Sequence, residues 1–193
     1  MTETIDLGPC SATLDVGERE RCLVLLPGAA YPTAAPLLWF ARELGRRRGW
    51  STLEVLDRWR SDHDEPFGWA RDRAQRALDA APGAVVVVGK SLASGATGVA
   101  AEAGVPAAWL TPLLDEPTVV DGLRDARAPS LLIGGSADPT WVPGAIAPNP
   151  LVDLLELDGL DHALQRPGDV LASIAALETV VRSLDAFLDR ADA

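Results

Sequence analysis

Along this chain, short apolar runs alternate with stretches in which apolar residues recur every three or four positions. Cys22 to Leu26 reads as a buried strand, and Leu37, Leu38, Ala41 and Leu44 follow it at helical spacing. Thr52 to Leu56 is the next strand. Its alternation of Leu53 and Val55 with Thr52 and Glu54 predicts a place nearer the sheet edge than the all-valine run Val85 to Val88. Between those two strands, Ala70, Ala74, Ala77 and Ala81 line one face of a helix that Pro82-Gly83 ends. Ala107 to Leu110, Ser130 to Ile133 and Val152 to Leu157 are further strands, with a helix opening at Pro117 that buries Val119, Val120 and Leu123. Ile174, Leu177, Val181, Leu184 and Leu188 make one stripe of a last helix, expected to lie against the sheet. Two short strands, Ile5 to Leu7 and Ala12 to Val16, precede the alternation. The whole pattern predicts an α/β fold: an open, mostly parallel sheet with helices on both faces.

Length and charge narrow the picture. The 193 residues suit a single domain over 1–193, and the span from Leu110 to Leu123 is too short to hold a lid, so an open pocket without a cap domain is expected. A net charge of −11 argues against nucleic acid and anionic membranes as partners, since both need clustered cations. The one basic run, Arg46-Arg47-Arg48, is expected to complement the dipole at a helix C-terminus. The N-terminal residues lack a basic segment followed by an apolar one, and no run approaches the ~18 apolar residues of a membrane span, which predicts a soluble, cytoplasmic protein. Cys10 and Cys22 make neither a metal set nor a disulfide framework and are read as reduced, structural residues. His63 sits among carboxylates in the loop from Asp57 to Trp69, without a recognisable ligand spacing. No metal or cofactor is expected, and nothing in the chain specifies a partner protein.

The chemistry concentrates where the valine strand ends, in Gly89-Lys90-Ser91-Leu92-Ala93. A strand that stops at a glycine before small residues forces a tight bend and lifts the Ser91 hydroxyl off the sheet edge. Residues two before and two after the serine then come close together, so both must be small. A phosphate-binding loop also ends in Gly-Lys-Ser, but needs glycine six positions before the lysine. Ala84 stands there, and Val85 to Val88 form a strand, not a loop. Lys90 itself is expected to be exposed. A serine hydroxyl needs a base to take its proton and an acid to fix the tautomer of that base. Of the two histidines, His162 in Gly159-Leu160-Asp161-His162 directly follows the last strand and is the better base.

These pieces resemble the α/β-hydrolase superfamily, in particular its small, lidless bacterial members grouped with dienelactone hydrolases. Leu25-Leu26-Pro27-Gly28-Ala29 matches the oxyanion loop, Gly89 to Ala93 the nucleophile elbow, Gly135-Ser136-Ala137-Asp138 the acid segment and Gly159 to His162 the base segment. The resemblance covers most of the chain. It implies a Ser91, Asp138, His162 triad in the order of that fold, with Asp115 as the second candidate acid, and oxyanion donors at the Leu92 and Ala29 N–H groups. Tyr31 and Trp141, from loops on the same edge, are expected to line the substrate. The chain departs from the pattern at Ala93, where the second elbow glycine would be, at Pro27 in place of a histidine, and at Ser91, where dienelactone hydrolases carry cysteine. The implied function is hydrolysis of a small soluble ester, thioester or lactone through an acyl-enzyme, with activity rising as His162 loses its proton. The alternative is a hydrolase-fold protein that binds a ligand or partner without turnover. Ser91, His162 and Asp138 separated by more than ~4 Å would favour that alternative.

Overall fold

The computed structural model describes residues 2–57, 59–60 and 65–192. Among them eight strands form one sheet: β1 (Thr2–Asp6), β2 (Ser11–Asp15), β3 (Arg19–Leu26), β4 (Trp50–Val55), β5 (Ala84–Lys90), β6 (Ala107–Leu110), β7 (Ser130–Gly135) and β8 (Val152–Leu157). Their spatial order is β1-β2-β4-β3-β5-β6-β7-β8. Strands β3 to β8 run parallel, whereas β1 and β2 form a hairpin whose second strand lies antiparallel to β4. The α-helices are α1 (Pro36–Arg47), α2 (Pro66–Ala80), α3 (Thr97–Ala103), α4 (Pro117–Arg124) and α5 (Val170–Asp192). The open, mostly parallel sheet with helices on both faces is therefore the expected architecture.

The order of connections decides where a crevice opens. From β3 the chain crosses over α1 to β4 on one side, then returns over α2 past β3 to β5 on the other. The two connections leave β3 and β5 in opposite directions, and such a reversal is where parallel sheets bind ligands, outside the strand carboxyl ends. The side chains sort by the same logic. Val86 and Val88 pack with Leu38, Ala41, Leu184 and Phe187 under α1 and α5. Val87 packs with Ala74, Ala77, Val99, Val119 and Leu123 under α2, α3 and α4. Alternate valines of β5 thus reach opposite layers, which is why the run Val85 to Val88 is apolar at every position.

The packing adds detail that periodicity alone does not give. Strand β4 lies third from the β1 end of the sheet, nearer an edge than β5 as expected, yet its Ser51 and Thr52 are buried. Beta-carbon space at Gly45 of α1 lies 3.0 Å from Leu23 and 3.5 Å from Thr52, so α1 closes over this strand, and its Glu54 takes Arg42 at 3.3 Å. Gly95 and Gly98 do not serve contact with the sheet. A Cβ at Gly95 would stand 2.6 Å from Phe67 of α2, and one at Gly98 would meet nothing within 4 Å. The close approach is made from α4, where a Cβ at Gly122 would fall onto Thr97 and the backbone of Gly98. Finally, the stripe on α5 is buried only in its second half: Val180, Leu184, Phe187 and Leu188 are core, but Ile174 is 57% exposed. The first turns of α5 instead border an open groove shared with Tyr31, Pro36 and Leu37.

The basic run ends α1 as expected, and it also fastens α5. Arg48 donates to the Leu44 carbonyl at 3.1 Å and pairs with Asp185 and Asp189, while Arg47 reaches Asp185 at 3.2 Å. Cys10 and Cys22 are free and buried, and burial pushes the Cys22 thiol up to about 12, which keeps it protonated and inert. Among the described residues no helix is long and apolar enough to cross a membrane, and no group of three or more His, Cys, Asp or Glu is placed to hold a metal. His63 lies outside the described residues.

Candidate active site

Ser91 follows the last residue of β5 and adopts a φ of 53°, a left-handed conformation uncommon for any residue but glycine. That bend turns the chain from the strand into the 3₁₀ turn Ser91–Ala96 and then α3. Gly89 makes it possible. A Cβ there would stand 2.6 Å from the Trp109 ring and 3.0 Å from the Ala93 methyl. The methyl of Ala93 fits in place of a second glycine because its opposite position carries no side chain. On the neighbouring strand, the loop after β3 folds back at Gly28, whose Cβ position lies 3.1 Å from the Lys90 carbonyl oxygen and 3.5 Å from the Ser91 Cβ. Ala29 is thereby brought to the cleft around Ser91, which is lined also by Ala30, Tyr31, Ala137, Pro139 and His162. Among the described residues no acceptor takes the Ala29 N–H. Leu92, directly after the serine, is buried.

Asp138 and His162 arrive from the ends of β7 and β8. Strand β7 finishes on Gly134-Gly135, and both must lack side chains: a Cβ on Gly134 would enter the Trp141 ring, and one on Gly135 would strike the Leu160 carbonyl. The loops after β7 and β8 consequently close on each other, and Ala137 donates to Leu160 O at 3.0 Å. Asp161 shapes the base loop, its Oδ1 accepting from the N–H groups of Ala163 at 2.8 Å and Gln165 at 3.0 Å.

The three side chains meet. Ser91 Oγ lies 2.8 Å from His162 Nε2, and His162 Nδ1 lies 2.7 Å from Asp138 Oδ2. Asp138 is buried, with its carboxylate fully enclosed, whereas the His162 side chain is 39% exposed toward the cleft. The two carboxylate oxygens do different work. Oδ1 accepts from the Thr140 N–H at 2.9 Å and the Thr140 hydroxyl at 2.8 Å, an Asx turn, which leaves Oδ2 for the histidine. A carboxylate at Nδ1 fixes the proton on that nitrogen, so Nε2 presents its lone pair and Ser91 Oγ–H donates to it. Asp115 is exposed in the loop after β6, and it is Asp138 that pairs with the imidazole.

Two expected placements are overturned. Trp141 does not line the cleft: it is buried against Gly134, and its indole N–H donates to Glu156 at 2.7 Å, so the ring wedges the β7 loop and not a substrate. Lys90 is not exposed but 2% accessible. Its ammonium donates to Thr111 Oγ1 and, at 2.8 Å, to the His162 carbonyl, and lies 5.3 Å from the Tyr31 ring centroid. The signal was available, because Val86, Val88 and Lys90 share one face of β5 by strand alternation. Burial pushes the Lys90 ammonium down to about 8, with the negative charges of Asp138 and Asp161 pulling it back up. Tyr31 does reach the cleft, and its hydroxyl accepts from the Leu37 N–H at 3.0 Å, fastening the loop to the first turn of α1. Thr140 and Asp161 were also missed, although an Asp-Pro-Thr and an Asp-His-Ala turn are both sequences in which an aspartate caps its own loop.

No family model matches the sequence, and neither does any curated protein. Solved structures match closely in shape. A dienelactone hydrolase from Anabaena variabilis superposes with a TM-score of 0.74 at 18% identity over 98% of this chain and 96% of its own. Est1E from Butyrivibrio proteoclasticus, with ferulic acid bound, gives a TM-score of 0.73 at 14% identity over 97% and 98% of the two chains. A Xanthomonas campestris protein described as an α/β serine hydrolase without a lid gives 0.62 at 18% identity over 95% and 94%. The chain has the α/β-hydrolase fold, without a cap domain.

Proposed function

We propose that this chain, an α/β-hydrolase by fold, is a serine hydrolase that cleaves small acyl compounds through an acyl-enzyme. The observation that carries the reading is the continuous relay Ser91–His162–Asp138, with separations of 2.8 and 2.7 Å. Both lie within hydrogen-bond reach, which favours turnover over binding alone. In the reaction, Ser91 Oγ attacks an acyl carbonyl as His162 Nε2 takes its proton, and Asp138 stabilises the imidazolium that forms. The carbonyl oxygen becomes an oxyanion facing the N–H groups of Leu92 and Ala29, the latter free of any other acceptor among the described residues. His162 returns the proton to the leaving group, and water repeats the sequence to release the acid. The chain's own side chains account for every proton transfer, so the reading calls on no cofactor.

The cleft is walled mainly by Ala29, Ala30, Tyr31, Ala137 and Pro139, which suits a small ester, thioester or lactone with an uncharged acyl group. A net charge of −11 disfavours nucleic acid or anionic membrane as partners and suits a soluble substrate met in the cytoplasm. That Est1E, of the same fold, holds ferulic acid, a carboxylic acid, is consistent with this class. A fluorophosphonate probe tests the mechanism without knowing the substrate. Stoichiometric modification at Ser91 is expected, lost in Ser91→Ala and His162→Ala. Folded wild-type protein that stays unlabelled would move the assignment to a binding protein.

A further inference from the structure

We infer that Lys90 is a positioning residue for this relay: its buried ammonium clamps the backbone of His162 to the ends of β5 and β6 and so holds the imidazole against Ser91. The inference rests on the serine-hydrolase reading above. A lysine at 2% accessibility is a costly choice for a position that a methionine would fill, because the ammonium has lost its water. The groups its ammonium touches, the Thr111 hydroxyl, the His162 carbonyl and the Tyr31 ring, are all neutral. It has instead two directed hydrogen bonds and an aromatic face, and each belongs to a different segment of the site.

The first bond goes to Thr111, the residue after β6, which is itself fully buried and held at a φ of 45°, an outlier for a β-branched side chain. Such a conformation persists only where its surroundings over-determine it. Its N–H is fixed by the Ile133 carbonyl of β7 at 2.7 Å and its hydroxyl by Lys90. The second bond, at 2.8 Å, goes to the carbonyl of His162, for which no other donor is present among the described residues. The third contact is the Tyr31 ring, whose hydroxyl in turn accepts from Leu37 at the start of α1. One cation therefore ties the nucleophile strand, the neighbouring strand end, the oxyanion-side loop and the base loop to a common point. Asp138 and Ser91 orient the imidazole through its two nitrogens, and the bond to the carbonyl of His162 fixes the backbone from which that ring projects. With Asp138 enclosed and negative, the nearby ammonium also leaves the buried site close to neutral.

Lys90→Met keeps the length and removes the charge and donors; Thr111→Val keeps the lysine and removes one anchor; Lys90→Arg keeps a buried cation with donors. Each is checked for folding by circular dichroism, then measured for its second-order rate of fluorophosphonate labelling and for kcat and KM on a p-nitrophenyl ester. We expect Lys90→Met to lose at least tenfold in kcat and labelling rate with KM within about threefold of wild type, Thr111→Val to lose less in the same parameters, and Lys90→Arg to recover part of the loss. A folded Lys90→Met with wild-type kcat, or one that loses only in KM, overturns the inference. If Lys90→Met does not fold, a folded Thr111→Val with wild-type kcat and labelling rate overturns it in its place. Wild-type protein that does not label at all brings down the serine-hydrolase reading, and Lys90's role with it, so the two failures are told apart by the wild-type lane.

Discussion

Asp138 divides its two oxygens between an Asx turn and the imidazole, and the two halves of that arrangement fail differently. Asp138→Asn leaves the fold in place but turns an N–H or the wrong lone pair toward Nδ1. The tautomer of His162 then reverses, and kcat on any ester substrate should fall on the order of 10⁴-fold with little change in melting temperature. Thr140→Val instead removes one donor from an enclosed carboxylate while the backbone N–H remains. It should cost about 1–3 kcal/mol of stability in a urea titration, with a much smaller loss of activity. The Asx-turn and catalytic readings of Asp138 compete when only the sequence is in view, and the structure satisfies both. Lys90 went the other way: residue type argued for solvent, while strand alternation with Val86 and Val88 argued for the core, and position prevailed.

Packing between elements gives an equally sharp contrast at two glycines, Gly98 of α3 and Gly122 of α4. Gly98→Ala adds a methyl into open space inside a helix, so it should stabilise by about 0.4–1 kcal/mol through the unfolded chain. Gly122→Ala drives the same methyl into Thr97 and the backbone of Gly98, and should destabilise by about 1–3 kcal/mol unless α4 moves away. Paired denaturation curves decide the matter. Results of equal sign would mean that the helices do not meet as described. Strands and helices themselves were readable from their periods: Ala107–Leu110 and Val152–Leu157 appear with the bounds the sequence predicts, and Leu37, Leu38, Ala41 and Leu44 all lie buried on α1. What each glycine packs against was not readable, because a glycine carries no side chain to mark its neighbour. The exposed Ile174 escaped for a related reason: a helical stripe tells which face is apolar, but not how far along the helix a partner extends.

Burying a lysine in the middle of the molecule couples the stability of the entire fold to pH. The ordinary lysine pKa is 10.5, and in the folded protein that of Lys90 falls to about 8, chiefly through desolvation. Between those values the unfolded chain binds the proton and the native protein does not, so unfolding takes up a proton and stability rises with pH across that window. Below about 8 both states are protonated and the gain is absent. The 2.5-unit difference corresponds to a rise on the order of 3 kcal/mol between pH 8 and 10.5. The urea midpoint should therefore rise more from pH 7.5 to pH 10 than that of Lys90→Met, and parallel behaviour of the two proteins would refute the lowered Lys90 pKa in the folded protein. The sequence alone determined the alternation of strands and helices and the bend at Ser91. Each of these depends on local sterics or on residues near one another in the chain. Only the tertiary structure decided that Asp138 and not Asp115 meets His162, that Trp141 wedges a loop instead of lining the cleft, and that Lys90 is buried with its ammonium on the His162 carbonyl. Those outcomes depend on which strand ends lie side by side and how closely their loops approach, distances set by packing across the whole sheet.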